Sequence, residues 1–177
     1  MESSSAKTSD SQGLRRRIDD DSGRLVAAME RIASVAGPDF FATAAELLKV
    51  QLDVEFVFIA ECTDSEKGMA RTLAFWGEAG VAENLEFCTL GGPCERVLAG
   101  DVVHVVENVC EQFPHNDAPG GVAPDSYLGY PLINSSGNVI GHVAAMDVRP
   151  MLPSPEDLVI LRVLASRAGA EIGAKAD

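Results

Sequence analysis

Two apolar segments in the second half of the chain, residues 127–133 and 139–147, constrain the fold more than any other feature of the sequence. Apolar residues recur in both at the two-residue spacing of a β-strand, and the intervening residues 135–138, SSGN, are typical of a tight turn. The segments therefore predict a β-hairpin. Because both faces of each strand are apolar, the hairpin is expected in the middle of a sheet that is covered on both sides.

Helices are predicted on either side of a set of shorter strands. Residues 24–36 and 39–52 show the apolar spacing of helices, with Asp39 as the expected cap of the second. A short helix is expected from Pro93, and a long one from the cap Ser154 to about residue 174. The remaining strands are predicted at residues 54–61, 71–76, 83–89 and 102–106, with one helical turn near residues 109–113 in the long segment 107–125.

This order of elements contains no alternation of strands with long helices, so the expected fold class is α+β. The predicted sheet has six antiparallel strands. The terminal helices are expected on one face of the sheet and the long loop with the short helix on the other. Between sheet and loop this arrangement leaves a cavity of the kind that binds small molecules.

The first residues differ from the rest of the chain in composition. Residues 1–21 are rich in Ser, Asp, Lys and Arg, and they hold too few apolar groups to offset the entropy lost on ordering. We predict a disordered N-terminal tail over residues 1–21. The remaining residues, 22–177, are predicted to form a single domain, because their length suits one hydrophobic core.

The charge of the chain disfavours two classes of partner. The 177 residues carry a formal net charge of −13, which opposes binding to nucleic acid and to anionic membrane surfaces. No apolar run approaches the roughly 18 residues of a membrane span, and the N-terminus lacks the apolar region of a signal peptide. A cytoplasmic protein is therefore expected, with no nucleic acid and no membrane among its partners.

Cysteine and histidine are few and scattered. No C-x-x-C pair occurs, and the histidines do not complete the spacing of a zinc site. Without a secretion signal the cysteines are expected to be free thiols, and no metal site is predicted. The residues concerned are Cys62, Cys88, Cys94, Cys110, His104, His115 and His142.

Six short segments follow one another along residues 24–174. They are DVEFVFIAE (53–61), RTLAFW (71–76), GGPCE (91–95), FP (113–114), SYLGYPL (126–132) and GNVIGHVAAMD (137–147). In this order and at these intervals the segments resemble a GAF domain, a sensory module built into many bacterial histidine kinases and diguanylate cyclases.

The resemblance implies a GAF/PAS-like sheet of six antiparallel strands. A ligand, where there is one, would lie under the loop between the fourth and fifth strands, and the terminal helices would pair between protomers. The implied function is that of a non-catalytic sensory or regulatory module that binds a small molecule, transmits a signal through a helical dimer, or does both. The sequence names neither the ligand nor a cofactor. Five residues from separate elements are expected to converge near the loop as ligand-binding residues: Phe87, Cys94, His104, Phe113 and Tyr127.

Other roles stay open for some of these residues. Phe87 and Tyr127 also fit ordinary core packing, and His104, inside VVHVV, also fits a hydrogen-bonded strand histidine. The turn at residues 91–95 presents backbone N–H groups at a helix N-terminus, which favour an anion, although Glu95 opposes one.

An enzyme of the same fold, free methionine-R-sulfoxide reductase, provides the alternative function. In that family the catalytic cysteine precedes an Asp-Ser pair, and here Pro124 precedes Asp125 and Ser126. Cys94 matches the resolving position, and Cys88 lies near the position of a third cysteine. A GAF-fold redox enzyme or thiol sensor would therefore depend on Cys88 and Cys94. Proline at the nucleophile position instead favours a protein that is not an enzyme.

The last predicted helix carries more apolar surface than one sheet face requires, which is an arc of roughly 100°. The helix at residues 24–36 has a second apolar stripe through Leu25, Met29 and Ile32. We therefore predict a homodimer in which the two terminal helices pair with their two-fold mates. The apolar residues of the last helix are Leu158, Val159, Ile160, Leu161, Val163, Leu164, Ala165, Ala168 and Ile172.

Overall fold

A computed structural model describes residues 22–23, 25–115 and 118–176 of the chain. The disordered tail predicted at residues 1–21 lies outside the described residues. The chain divides into two units between Val35 and Ala36. In the first unit residues 25–33 form a helix, α1, and the second unit contains the sheet.

The second unit begins and ends with a helix. Its helices are α2 (Pro38–Leu52), α3 (Pro93–Leu98), α4 (Val109–Gln112) and α5 (Pro155–Ala176), with a 3₁₀ turn at Pro119–Gly121. Its strands are β1 (Phe56–Asp64), β2 (Met69–Gly77), β3 (Gly80–Ala82), β4 (Glu86–Cys88), β5 (Val103–Val105), β6 (Ser126–Ile133) and β7 (Val139–Asp147).

The strands of the described residues form one seven-stranded sheet in the order β3-β2-β1-β7-β6-β5, and β4 pairs with β2 beside β3. Every pairing in this sheet is antiparallel, so the predicted α+β class and antiparallel sheet are confirmed. The central strands are β1, β7 and β6. The hairpin that the sequence predicts is β6-β7, paired from Ser126↔Asp147 to Ile133↔Val139.

The sheet has one strand more than the six predicted, and the segment predicted as a strand at residues 83–89 pairs with β2 only at β4. The Leu85 amide donates to Thr72 Oγ1 at 2.9 Å, and Thr72 Oγ1 contacts Asn84 Oδ1 at 3.1 Å. A side chain thus takes the hydrogen bond that a regular ladder would have made. Residues 80–82 pair separately with β2 as β3, which the sequence did not predict.

Helix starts follow the expected chemistry in one case and depart from it in the other. At α5, the Asp157 amide donates to Ser154 Oγ at 3.1 Å and the Ser154 amide donates to Asp157 Oδ2 at 2.8 Å, so Ser154 is the cap. The cap predicted at Asp39 is wrong: α2 begins at Pro38 and Gly37 occupies the cap position. Proline suits the first helical position, since its missing N–H would have no partner in the helix there.

The two faces of the sheet are covered differently. Helices α2 and α5 pack on one face, where the Trp76 indole donates to the Ala42 carbonyl at 3.1 Å. Helix α3 packs against β6 and β7 on the other face, here called the loop side. Because side chains alternate along a strand, Phe58 of β1 lies on the loop side and its neighbours Val57 and Ile59 face the helices.

Gly169 lets α5 approach β6 closely. A Cβ atom at this position would overlap the backbone of Ile133, whose amide nitrogen would lie 2.9 Å away. At Gly173, one turn later, the nearest atom to an added Cβ is Asn134 Cβ at 3.6 Å, which is an ordinary contact. Only the first of these two helical glycines is therefore required by packing.

This difference predicts opposite effects of the same substitution. Gly169→Ala should lower the free energy of unfolding by about 1–3 kcal/mol, because β6 and α5 must move apart. Gly173→Ala should raise it by up to about 1 kcal/mol through helix propensity. Urea denaturation of the two variants measures both effects, and a stabilising Gly169→Ala would contradict the close approach of α5 to β6.

Candidate functional site

A buried apolar cluster fills the loop side of the sheet and is here called the loop-side cluster. The strands of the sheet contribute side chains from one side, and helices α3 and α4 contribute side chains from the other. Its buried members are Phe58, Ala60, Ala70, Phe75, Phe87, Cys94, Val97, Val103, Val105, Val109, Tyr127, Ala144 and Met146.

Four of the five predicted ligand-binding residues meet at this cluster. Phe87 from β4, Cys94 from α3 and Tyr127 from β6 are buried members. Phe113, which follows α4, is partly buried and packs against them. Residues from four separate elements therefore lie together, next to the loop that the sequence singled out.

His104 does not join the other four. Its Nε2 lies 2.9 Å from the Met151 carbonyl oxygen, and the residue is exposed. The reason is the alternation of β5, where Val103 and Val105 face the loop-side cluster and the residue between them faces away. The structure thus places His104 in a hydrogen-bonded strand position, which is the alternative to a ligand contact that its place inside VVHVV predicts.

Cys94 and Tyr127 form the polar contact inside the cluster. The thiol sulfur lies 3.3 Å from the phenol oxygen, and both residues are buried. Burial raises the pKa of the Cys94 thiol to about 12 and raises the pKa of Tyr127 well above its usual range. Both groups are therefore uncharged at neutral pH, and Cys94 is not a nucleophilic thiolate.

His142 is a site residue that the sequence analysis did not select. It lies in β7, is fully buried, and has the Phe58 ring centroid 5.2 Å from its own. Neither ring nitrogen has a hydrogen-bond partner among the described residues. Burial lowers the pKa of the imidazole to about 3. The available signal is a polar residue in the middle of the apolar strand VIGHVAAMD, which apolar spacing alone does not interpret.

The other cysteines lie in more open positions. Cys88 and Cys110 are exposed and Cys62 is half-buried, and all are free thiols, as is Cys94. Helix α4 brings Cys110 Sγ to 3.5 Å from the Pro124 carbonyl oxygen, although the two residues are far apart in the sequence. A thiol is thus present beside Pro124, the position that the resemblance to the reductase assigns to a nucleophile.

Within the described residues, no group of three or more His, Cys, Asp and Glu side chains is placed to hold a metal ion.

The turn before α3 supplies its own carboxylate. Glu95 Oε2 accepts the Gly91 amide at 2.8 Å, so an external anion at this turn would compete with the side chain.

A separate cavity of about 260 Å³ lies at the surface between α3 and the turn that joins β1 to β2. Burial raises the pKa of Cys62, which lines it. None of the five predicted ligand-binding residues contributes to this cavity. Its lining residues are Cys62, Ser65, Gly68, Thr89, Leu90, Glu95, Leu98, Ala99 and Val139.

The chain belongs to the GAF domain family, whose sequence pattern matches residues 38–172. This match confirms the resemblance that the six short segments indicated. A comparison with curated proteins finds no match. Within the described residues, none of the helices combines the length and the apolar content that crossing a bilayer requires.

Solved structures with the same fold serve different purposes. The GAF domain from Acinetobacter phosphoenolpyruvate-protein phosphotransferase is similar with a TM-score of 0.68 at 18% identity, over 86% of this chain and 91% of that one. The chromophore-binding domain of a bacteriophytochrome from R. palustris is similar with a TM-score of 0.67 at 11% identity, over 89% of this chain and 61% of that one. Type II free methionine-R-sulfoxide reductase from Thermoplasma acidophilum is similar with a TM-score of 0.54 at 22% identity, over 72% of this chain and 86% of that one. At such identities the likeness shows a shared fold.

His142 makes the stability of the fold depend on pH. Its pKa is about 3 in the folded protein and 6.5 when unperturbed, so acid adds a proton to the unfolded chain first. The stability that the neutral imidazole of His142 contributes is nearly complete above pH 6.5 and is lost progressively as the pH falls from 6.5 toward 3. At pH 5 the loss relative to pH 8 is about 2 kcal/mol. Cys94 and Tyr127, whose pKa values are raised, stay protonated throughout this range.

Replacing His142 should therefore flatten the acid limb of the stability profile. Between pH 8 and pH 5, the free energy of unfolding of His142→Leu should fall by about 2 kcal/mol less than that of the unsubstituted protein. Urea denaturation at the two pH values measures this difference. His115→Gln removes an exposed imidazole that is not a member of the cluster and should keep the steeper profile. Equal slopes for His142→Leu and the unsubstituted protein would contradict a buried neutral imidazole.

Proposed function

We propose that the protein is a non-catalytic sensory or regulatory GAF domain that binds a small molecule on the loop side of its sheet and signals through a helical homodimer. The observation that carries the proposal is the convergence of Phe87, Cys94, Phe113 and Tyr127 from separate elements at the loop-side cluster. We propose a cytoplasmic location and no nucleic-acid or membrane partner, in keeping with the net charge of −13.

The chemistry of the cluster supports binding over catalysis. Its polar groups are a thiol and a phenol whose pKa values are raised by burial, so neither is ionised for acid–base or nucleophilic work at neutral pH. The Tyr127 hydroxyl is paired with a thiol, which is a weak hydrogen-bonding partner. A ligand with a stronger donor or acceptor would gain by replacing that contact.

The sheet itself connects the cluster with α5. Tyr127 of β6 belongs to the loop-side cluster, and the next residue, Leu128, is buried on the opposite face. Helix α5 packs against β6 and β7 from that face. A ligand that shifts β6 therefore displaces the surface on which α5 rests, which is the kind of small movement that helices transmit to a neighbouring subunit.

Native mass spectrometry of the purified protein tests ligand binding directly. We expect a co-purified small molecule on the unsubstituted protein and a reduced bound fraction in Tyr127→Phe, which removes the hydroxyl inside the cluster. Tyr130→Phe removes a hydroxyl from the same strand outside the cluster and should leave the bound fraction unchanged. A protein free of any adduct, after expression in cells and gentle purification, would contradict the ligand-binding part of the proposal.

The surface of α5 supports the dimer in part. Ile160 and Leu164, which belong to the predicted surplus of apolar surface, are buried within the chain itself. Val159 and Val163 are about half exposed, at 56% and 47%. Along the same helix a shallow groove is lined by Val163, Ser166, Arg167, Ala170, Glu171 and Ala174. Valines and small residues on one exposed helical surface allow a second helix to approach closely.

A charge on this surface should separate the protomers. We expect Val163→Glu to elute as a monomer in size-exclusion chromatography with light scattering, because an unpaired carboxylate would be buried at the interface. Val50→Glu places the same charge on an exposed valine of α2 and should leave the dimer intact. If the unsubstituted protein is monomeric at high micromolar concentration, the dimer proposal is wrong.

A GAF-fold thiol enzyme or sensor is the second candidate, and one observation favours it. Cys110 lies beside Pro124, so an accessible thiol occupies the region of the missing nucleophile. The pairing of Cys88 with Cys94 is disfavoured, because the Cys94 thiol is buried and its pKa is raised to about 12. Turnover of free methionine sulfoxide with a thiol reductant, abolished by Cys110→Ser, would support this candidate over the binding module.

A further inference from the structure

His142 is a buried imidazole at the centre of the sheet. In β7 it pairs with Ala60 of β1 on one side and with Pro131 of β6 on the other. Its exposed fraction is 0%, and neither Nδ1 nor Nε2 has a hydrogen-bond partner among the described residues. Because most buried polar side chains in proteins are paired, two unpaired nitrogens on one ring point to a partner that the chain does not supply.

Aromatic rings surround this imidazole. The Phe58 centroid lies 5.2 Å away at an interplanar angle of 89°, and the Phe87 centroid lies 6.0 Å away at 63°. Phe58 and Phe87 also contact each other edge to face at 5.5 Å. The loop-side cluster has no charged side chain among its members, so nothing there would neutralise a charged ligand.

The ring nitrogens are ready to make hydrogen bonds of both kinds. Burial keeps the imidazole uncharged at neutral pH, and a neutral imidazole has one nitrogen that donates and one that accepts. Because the two nitrogens point away from each other, a small ligand reaches one of them, and an amide, which has both a donor and an acceptor, matches either nitrogen without a net charge.

The elements above His142 are weaker than the strand that holds it. β7 is paired on both sides, whereas Phe87 sits on β4, a three-residue strand that pairs with β2 alone. The helices on this side, α3 and α4, have six and four residues. Short elements with few backbone hydrogen bonds open at a lower cost than central strands. Displacing the Phe87 ring would free a space of about one ring beside Phe58.

We propose that His142, Phe58 and the position of the Phe87 ring form the inner end of the ligand site, and that it takes a flat, uncharged molecule of about one ring that bears a hydrogen-bonding donor and acceptor such as an amide. The ligand replaces Phe87 against Phe58 and pairs with the His142 ring nitrogen that faces this space. This inference rests on the proposed small-molecule function and adds the chemical class of the ligand.

Three probes of one size test the site. Benzamide has the ring and the amide, toluene has the ring alone, and benzoate has the ring with a charge. In histidine-selective ¹⁵N NMR, benzamide should shift the signal of at least one ring nitrogen of His142, and benzoate should shift neither. We expect benzamide to bind His142→Leu about tenfold more weakly than the unsubstituted protein, a factor in keeping with one hydrogen bond, while toluene binds both proteins within twofold.

Two further variants keep the test decisive. Phe87→Ala removes the ring that must move, so it should bind benzamide more tightly than the unsubstituted protein does. His142→Gln keeps a donor and an acceptor and should retain part of the benzamide affinity that His142→Leu loses. The proposal is overturned if benzamide leaves the His142 nitrogens unshifted in both the unsubstituted protein and Phe87→Ala, or if it binds His142→Leu undiminished.

Failure of this inference is distinguishable from failure of the proposed function. A co-purified molecule that His142→Leu retains in full would leave the sensory function standing and remove the role of His142. An unsubstituted protein that carries no molecule and binds none of the three probes would overturn both. Circular dichroism of each variant confirms that the fold is retained.

Discussion

The central position of β7 is the constraint on which the rest of the structure depends. The strand pairs with β1 on one side and β6 on the other, so its backbone hydrogen bonds are satisfied within the sheet and both of its faces are buried. At Gly141 the strands approach so closely that an added Cβ would overlap the backbone of Ala60. α5 then packs against one face of the strand and the loop-side cluster against the other.

Burial on the loop side determines what chemistry this face performs. The thiol of Cys94, the phenol of Tyr127 and the imidazole of His142 are each uncharged at neutral pH, for the same reason: the surroundings disfavour the charged form. Uncharged groups of this kind offer hydrogen bonds and apolar contact. At neutral pH none of them is a thiolate or an ionised acid, and the imidazole, whose pKa is lowered to about 3, is a weak base.

The fold follows from the sequence to a large extent because its strongest patterns are local. The β6-β7 hairpin, the strand β1 and the helix α5 with its Ser154 cap depend on spacing and capping within a few residues. One of the less accurate predictions involves a partner distant in the chain. The hydroxyl of Thr72 interrupts the strand expected at residues 83–89, and no local pattern around residue 85 contains that information.

The sequence by itself determined the fold class, the family and four of the residues that meet on the loop side, because the spacing of apolar residues and the order of motifs are properties of the chain. Only the tertiary structure decided which polar residues face that cluster. His104 and His142 both stand in apolar strands, yet the first turns outward to the Met151 carbonyl and the second inward against Phe58. The sheet register and the packing on the sheet determine these two orientations. The tertiary structure also brings Cys110 beside Pro124 across a loop whose conformation depends on contacts with the whole domain.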